Sequence, residues 1–302
     1  MSVKIGVATA ELAAGRSFRR RVAIALDRQP RTRLALLIGL PLAALVIVYF
    51  GSLLILFLNS VWSRDPFTGR VIRELTLDNF IDLGKPLFIT VVLRTLSMAA
   101  AVTLACAVIA FPIAYFMARV ASPAVRGALV VAVLMPLWAS YLIKIYSWKL
   151  ILSEDGVLNW LLAPLGLSGP GYGEIGLWLV FTYLWLPYMI LPIYSGLLRI
   201  PSSVLEASAD LGGRGLATFR HVILPLSFPA VVAGSIFTFS LTLGDYIAPN
   251  QIASGKQFVG NLILSNFGVP DLPLAAAQAL VPLAIMITYL LIARRLGAFE
   301  AL

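Results

Sequence analysis

Of the 302 residues, 60% are hydrophobic and 12% are charged; the formal net charge is +9 and the mean hydropathy +0.93. A soluble domain carries about 25% charged residues, so a surface wholly in water is excluded and a bilayer is the expected solvent. One cysteine, Cys106, and one histidine, His221, leave no room for a disulfide framework or an internal His/Cys metal cluster.

Residues 1–33 form a basic segment containing "RSFRRR" at 16–21. Such a run suits the anionic lipid surface and the positive-inside rule, and nucleic acid is the poorer reading. Six apolar, charge-free runs then follow at 34–58, 95–118, 127–143, 175–198, 222–244 and 272–293. Their lengths are those of transmembrane helices. The second helix is expected to start near Leu87, with Arg94 snorkelling toward an interface. The third is expected to continue past Lys144 to about Trp148. Proline occurs within several runs, as at Pro112, Pro136, Pro187 and Pro282, which membrane helices tolerate. The fold class expected is therefore all-α: a six-span polytopic membrane protein, its permease domain at 34–295 and a short tail at 296–302.

Six spans put both termini on one side. With that side cytoplasmic, the inner segments hold 15 Lys and Arg and the outer segments six. Positive-inside bias favours this orientation. The outer segments 59–86 and 149–174 are long enough for short surface helices. No phosphate-binding loop, His-Glu-x-x-His motif or Ser-His-Asp set is present, so an enzyme is not expected, nor a cofactor in this chain.

One polar insert stands out, at 201–225, with "EASADLGGRGLATFRHVILP" at 206–225. Ser203 and Glu206 have capping-box spacing. Gly212-Gly213 reads as a helix stop, and a second helical run over 216–223 leads into the fifth span. A simple connection needs only a few residues, so the insert is expected to protrude into the cytoplasm as a helical hairpin.

Glu206-Ala207-Ser208, Gly212 and Val222-Ile223-Leu224-Pro225 resemble the EAA loop of binding-protein-dependent ABC importer permeases. That pattern reads Glu-Ala-Ala, three residues, Gly, nine residues, Ile-x-Leu-Pro. Ser208 and Val222 are its mild departures. The resemblance covers about residues 34–295 and implies that the loop is the coupling helix docked on a separate ATPase subunit. Glu206, Ala207, Ser208, Gly212, Leu224 and Pro225 are its coupling residues. It further implies a dimer of ATPase subunits carrying ATP and Mg, a second permease chain, a periplasmic binding protein and an inner-membrane location. "LTLDNF" at 75–80, "LMPLWASYLIKIYSWKLIL" at 134–152, "LGDYIAP" at 243–249 and "DLPLAAAQAL" at 271–280 are similar to the spermidine/putrescine branch. After Pro249 that branch often has Leu-Gly-Gly, where this chain has "NQIASGKQF". The cargo stays open between a polyamine and another small solute, such as an opine, an amino-acid-like molecule or a metal complex. A standalone channel or secondary carrier is the reading from a different class.

Ionisable groups at membrane depth are candidates for a transport pathway. Asp245 and Lys144 stand at the outer ends of spans five and three. Tyr141, Tyr146, Trp148 and Tyr246 offer aromatic faces for a cationic cargo. Each has a structural alternative as an interfacial belt residue, and Lys144 has one as the partner of Asp245.

Overall fold

The computed structural model describes residues 30–65, 67–268 and 271–297. Most of the basic segment, with its run at 16–21, and the tail end at 298–302 lie outside the described residues. Contacts divide the chain into two compact units, Met1–Leu58 and Asn59–Leu302. The first holds most of α1 (Pro30–Ser60). The apolar stretch Leu37–Ser60 has a mean hydropathy of 2.5, and its most apolar 18-residue window has no residue buried inside the protein. Its 24 residues exceed the ~20 that cross a hydrocarbon core, so it is long enough to span a membrane.

In the second unit a two-stranded antiparallel ribbon comes first, β1 (Trp62–Arg64) with β2 (Val71–Leu75). It is a small departure from an all-α chain. Asn79 pins it, donating from Nδ2 to the carbonyls of Ser60 and Trp62. The short helix α2 (Asp78–Leu83) follows. Then come α3 (Pro86–Tyr115) and a π turn at Phe116–Val120. Next are α4 (Pro123–Trp138), α5 (Tyr141–Ile151), the surface helix α6 (Val157–Leu162) and the long α7 (Glu174–Arg199). The polar insert forms α8 (Ser202–Asp210), α9 (Gly215–Thr218) and a second π turn, Phe219–Ile223. α10 (Leu224–Gly244), α11 (Ile247–Ile252), α12 (Val259–Gly268) and α13 (Leu272–Arg295) complete the chain.

Among the described residues, five helices are long and apolar enough to cross a membrane, and a sixth span exists if α4 and α5 are counted as one. Those two meet at 94°, a bend within the third span that the charge-free run does not reveal. Ala139 and Ser140 are extended, with ψ of 139° and 134°, and so end the helix. The ends at the break are then satisfied locally. Lys144 Nζ donates to the Pro136 carbonyl at 3.2 Å, and the Lys144 amide donates to the Ser140 carbonyl.

The core lies where α3, α7 and α10 pack on one another. α3 contributes Val102, Cys106, Ala110 and Ala114 at intervals of four, all fully buried, which is one face of a helix. α7 fills the space opposite with Leu177, Phe181, Leu184 and Met189. Between α7 and α10 the backbones approach closely. A Cβ at Gly196 would lie 2.4 Å from Ala230 Cβ, and one at Gly234 would lie 2.7 Å from Met189 Sδ. Small residues at helix crossings are the membrane protein's means of gaining dispersion contacts where lipid removes the hydrophobic drive. Gly196→Val is therefore expected to cost about 1–3 kcal/mol by overpacking. The expected readout is a lower melting temperature in detergent, while Gly127→Val, at a site where a new Cβ meets nothing within 4 Å, leaves it nearly unchanged.

Candidate functional site

Two regions carry the residues singled out in the sequence. The first is the polar insert. α8 ends in a Schellman motif: the Gly213 amide donates to the Ser208 carbonyl at 2.8 Å and the Gly212 amide to the Ala209 carbonyl at 2.9 Å. Gly212 adopts φ +79°, the left-handed conformation this stop requires. Gly213 is needed for space, because a Cβ there would come within 2.6 Å of the Ser208 carbonyl and hydroxyl oxygens. Ser208 Oγ and Thr218 Oγ1, 3.0 Å apart, join α8 to α9. The serine that departs from the Glu-Ala-Ala pattern thus has a structural use.

The expected capping box is absent. The N-cap of α8 is Pro201, without a side-chain cap bond. Ser203 lies inside the helix, two positions past the N-cap, and cannot accept as a cap. Glu206 and Ala207 are consequently free on the exposed surface. Leu205 points the other way and packs on the core. The second helical run begins at Gly215 rather than 216 and passes through the π turn into α10. Leu224 and Pro225 open α10; the proline has no amide to close an ordinary helical turn, and the wider π turn lies just before it. Val204, Ala207, Ser208, Leu211, Ala217 and His221 line a shallow groove on this hairpin. Leu211 and Leu216 project at 89% and 80% exposure, an apolar pair that water does not favour.

The second region lies at the other end of α10. Tyr141, Trp185, Ser240, Asp245, Tyr246 and Ile247 line one open pocket. The Asp245 carboxylate accepts from the Tyr141 hydroxyl, and its Oδ1 also accepts from the amides of Ile247 and Ala248 at 2.9 and 3.0 Å. Asp245 thereby starts α11 as well as facing the pocket. Burial pushes its carboxyl above the usual range, and these three donors pull the other way. The Tyr141 ring stacks on Trp185 at 6.0 Å. Trp185 sits next to Tyr188 at 6.0 Å, and Tyr188 near Phe237 at 6.4 Å.

The structure brings together Asp245, Tyr141 and Tyr246 and separates the others. Lys144 turns to the Pro136 carbonyl and does not pair with Asp245. Tyr146 is half exposed. Trp148 packs against Tyr183 and the core. Arg94 reaches Glu174 and the Gln257 carbonyl. Trp185 was missed, since a tryptophan inside an apolar run reads as core. The spacing of Phe181, Trp185 and Tyr188, which sets three rings on one helix face, was the available signal. Among the described residues no group of His, Cys, Asp and Glu could hold a metal ion.

Apolar helices of membrane length, a broken third span and a polar hairpin between the fourth and fifth define a polytopic membrane protein. The chain belongs to the family of binding-protein-dependent transport system inner membrane components, whose model matches residues 110–299. It is 47% identical over 283 residues to the inner membrane ABC transporter permease protein YdcU of Escherichia coli K12, covering 88% of this chain and 90% of that one. It is 33% identical over 258 residues to the spermidine/putrescine transport system permease protein PotB of the same organism, covering 82% and 92%. In fold it resembles a chain of a bacterial alginate ABC transporter solved with its alginate-bound periplasmic protein, at a TM-score of 0.70, 15% identity and coverage of 91% and 98%. A chain of the MetNI methionine transporter gives 0.52 at 17% identity, with coverage of 70% and 96%. This chain is thus an ABC importer permease, a transport subunit of the inner membrane and not an enzyme.

Proposed function

We propose that this permease forms, with a second permease chain, the pathway for a polyamine such as spermidine or putrescine delivered by a periplasmic binding protein. The observation that carries the reading is the pocket at the end of α10. A half-buried carboxylate, Asp245, stands beside the rings of Tyr141 and Trp185, the chemistry that attracts an ammonium group. Similarity to PotB supports the same cargo class. A binding-protein thermal-shift panel tests it: spermidine and putrescine raise the melting temperature of the cognate binding protein, and neutral or anionic solutes do not. Stabilisation by an opine, an amino acid or a metal complex alone overturns the polyamine reading and leaves the permease one intact.

The hairpin at 201–225 docks on an ATPase subunit, one of a dimer that carries the ATP and Mg. The protruding Leu211 and the exposed Glu206 and Ala207 are the groups it offers. Both termini are cytoplasmic in this reading, since the basic count favours that side; lipid surrounds the apolar helices, and nucleic acid is no partner. Cysteine labelling checks the orientation. In a Cys106→Ala background, Phe67→Cys, at a position 97% exposed near the ribbon, reacts with an impermeant maleimide in intact cells. Leu211→Cys reacts only after the membrane is opened. The reverse pattern inverts the topology.

A further inference from the structure

At the ribbon end of the bundle the chain does not leave the protein after α10. Residues 245–259 fold back across it, and Ala248, Ile252, Ala253 and Phe258 join the main core. Four attachments hold this segment to three other elements. Lys149 Nζ of α5 donates to Gln251 Oε1 at 3.0 Å. The Gly173 amide, just before α7, donates to the Ile252 carbonyl at 2.8 Å. Thr95 Oγ1 of α3 accepts from the Val259 amide at 3.0 Å. Arg94 Nη1, also of α3, donates to the Gln257 carbonyl at 3.0 Å.

One carboxylate ties these elements together. Glu174 Oε1 lies 3.3 Å from Arg94 Nε and 3.1 Å from Lys256 Nζ. Glu174 is the first residue of α7, so the carboxylate also sits at a helix N-terminus. The turn that presents Lys256 contains Ser254 and Gly255, with φ of +52° and +80°. A non-glycine residue in that region is uncommon and marks a tightly specified turn. The charged side chains are 28% to 50% exposed. Ion pairs of that exposure are individually weak, which suits contacts that must break and re-form.

The same segment bounds the pocket beside Asp245, through Tyr246 and Ile247. A solute that reaches the Asp245 pocket from this end passes this segment. We propose that residues 247–259 are the outer gate of the permease and that Glu174, bridging Arg94 and Lys256, is the positioning residue that latches it shut. The word outer rests on the orientation given above. Contacts made in the shut state and lost in the open one shift the balance between the two, so weakening the latch favours opening without a delivered solute.

The complete transporter, reconstituted with its ATPase and binding protein, provides the test. Glu174→Gln removes both ion pairs and keeps the side-chain size. Hydrolysis without binding protein is expected to rise by about threefold, the ratio that modest exposed pairs give, and stimulation by loaded binding protein to shrink. Glu174→Asp, which keeps the charge, restores part of the stimulation, a recovery that a general packing defect would not show. Lys256→Gln, on an exposed turn, breaks one pair only and gives a smaller rise; it decides the matter if Glu174→Gln assembles poorly. Unchanged basal hydrolysis in both variants at normal assembly overturns the latch, as does a loss of basal and stimulated rates in equal proportion. The labelling of Phe67→Cys separates the two readings. A basal rise with labelling only from inside leaves the latch standing and moves the gate to the other face.

Discussion

Gly212→Val is expected to abolish solute uptake and binding-protein-stimulated ATP hydrolysis while the chain still reaches the membrane at near-normal level. Gly212 holds φ +79° and a new Cβ there meets no atom within 4 Å, so the damage comes from the backbone alone. A β-branched residue is a genuine outlier at positive φ. Forcing it there costs on the order of 1–3 kcal/mol, and the Schellman motif gives way before the bundle does, because the hairpin is exposed and makes few core contacts. α8 then extends or frays, and Leu211 and Glu206 lose their fixed relation. Gly212→Asn separates conformation from mere substitution, since asparagine tolerates the left-handed region, and most uptake should remain. Gly213→Ala should behave in the opposite way. Its defect is a collision with Ser208, so asparagine at 213 is no better than alanine. Full uptake with normal ATPase association in Gly212→Val would remove the hairpin stop from the coupling path. The missing capping box sharpens a further comparison. Glu206 makes no cap bond on α8, so an uptake loss in Glu206→Ala reports on the docked surface rather than on helix stability.

Hydropathy located the long helices because lipid imposes one rule on every residue of a span, and the runs at 175–198 and 272–293 match α7 and α13 nearly end to end. The polar hairpin was legible for a different reason: Gly212 is required by its backbone angle, and such positions show in sequence. The break between α4 and α5 was not legible. Ala139 and Ser140 are as compatible with a helix as with an extended pair, and helical, mainly apolar sequence continues on both sides. Two contacts accompany the break: locally, Lys144 reaches back to the Pro136 carbonyl, and across the fold Tyr141 reaches Asp245. The pocket was half legible. Asp245 stood out as a lone carboxylate at the end of a span, but Trp185 showed only through its ring spacing with Phe181 and Tyr188, and its stacking on Tyr141 depends on the bend before α5. The capping-box error had a local cause. The spacing of Ser203 and Glu206 is right, but Pro201 already holds a β-region backbone at the N-cap, with ψ 145°, and the helix starts two residues early.

Asp245→Asn is expected to cut uptake of a cationic solute by about tenfold at low concentration, the effect of one charge-assisted hydrogen bond worth roughly 1.5–3 kcal/mol. The substitution is selective because Asp245 does two jobs. Its Oδ1 accepts from the amides of Ile247 and Ala248, and asparagine serves as an N-cap about as well as aspartate. α11 therefore stays in place, membrane level and basal hydrolysis are largely kept, and only the charge is lost. Asp245→Ala removes the cap too and should lower the melting temperature, which Asp245→Asn does not. Tyr141→Phe takes one donor from the carboxylate and a hydroxyl from the pocket but leaves the ring stacked on Trp185, so a smaller fall is expected. Lys144→Met should not rescue Asp245→Asn, because the lysine is engaged with Pro136 at the helix break and balances no charge at Asp245. The pH response has a definite sign. Burial raises the Asp245 carboxyl above its ordinary range, so it takes up its proton earlier than an exposed aspartate as pH falls. Uptake through the parent protein should decline on outside acidification, and uptake through Asp245→Asn should be flat over the same interval. Equal uptake by the parent and Asp245→Asn across a range of spermidine concentrations would take the carboxylate out of the pathway. Asp245 would then be the cap of α11 alone, and the cationic cargo would rest on similarity to PotB without a charge in this chain to explain it.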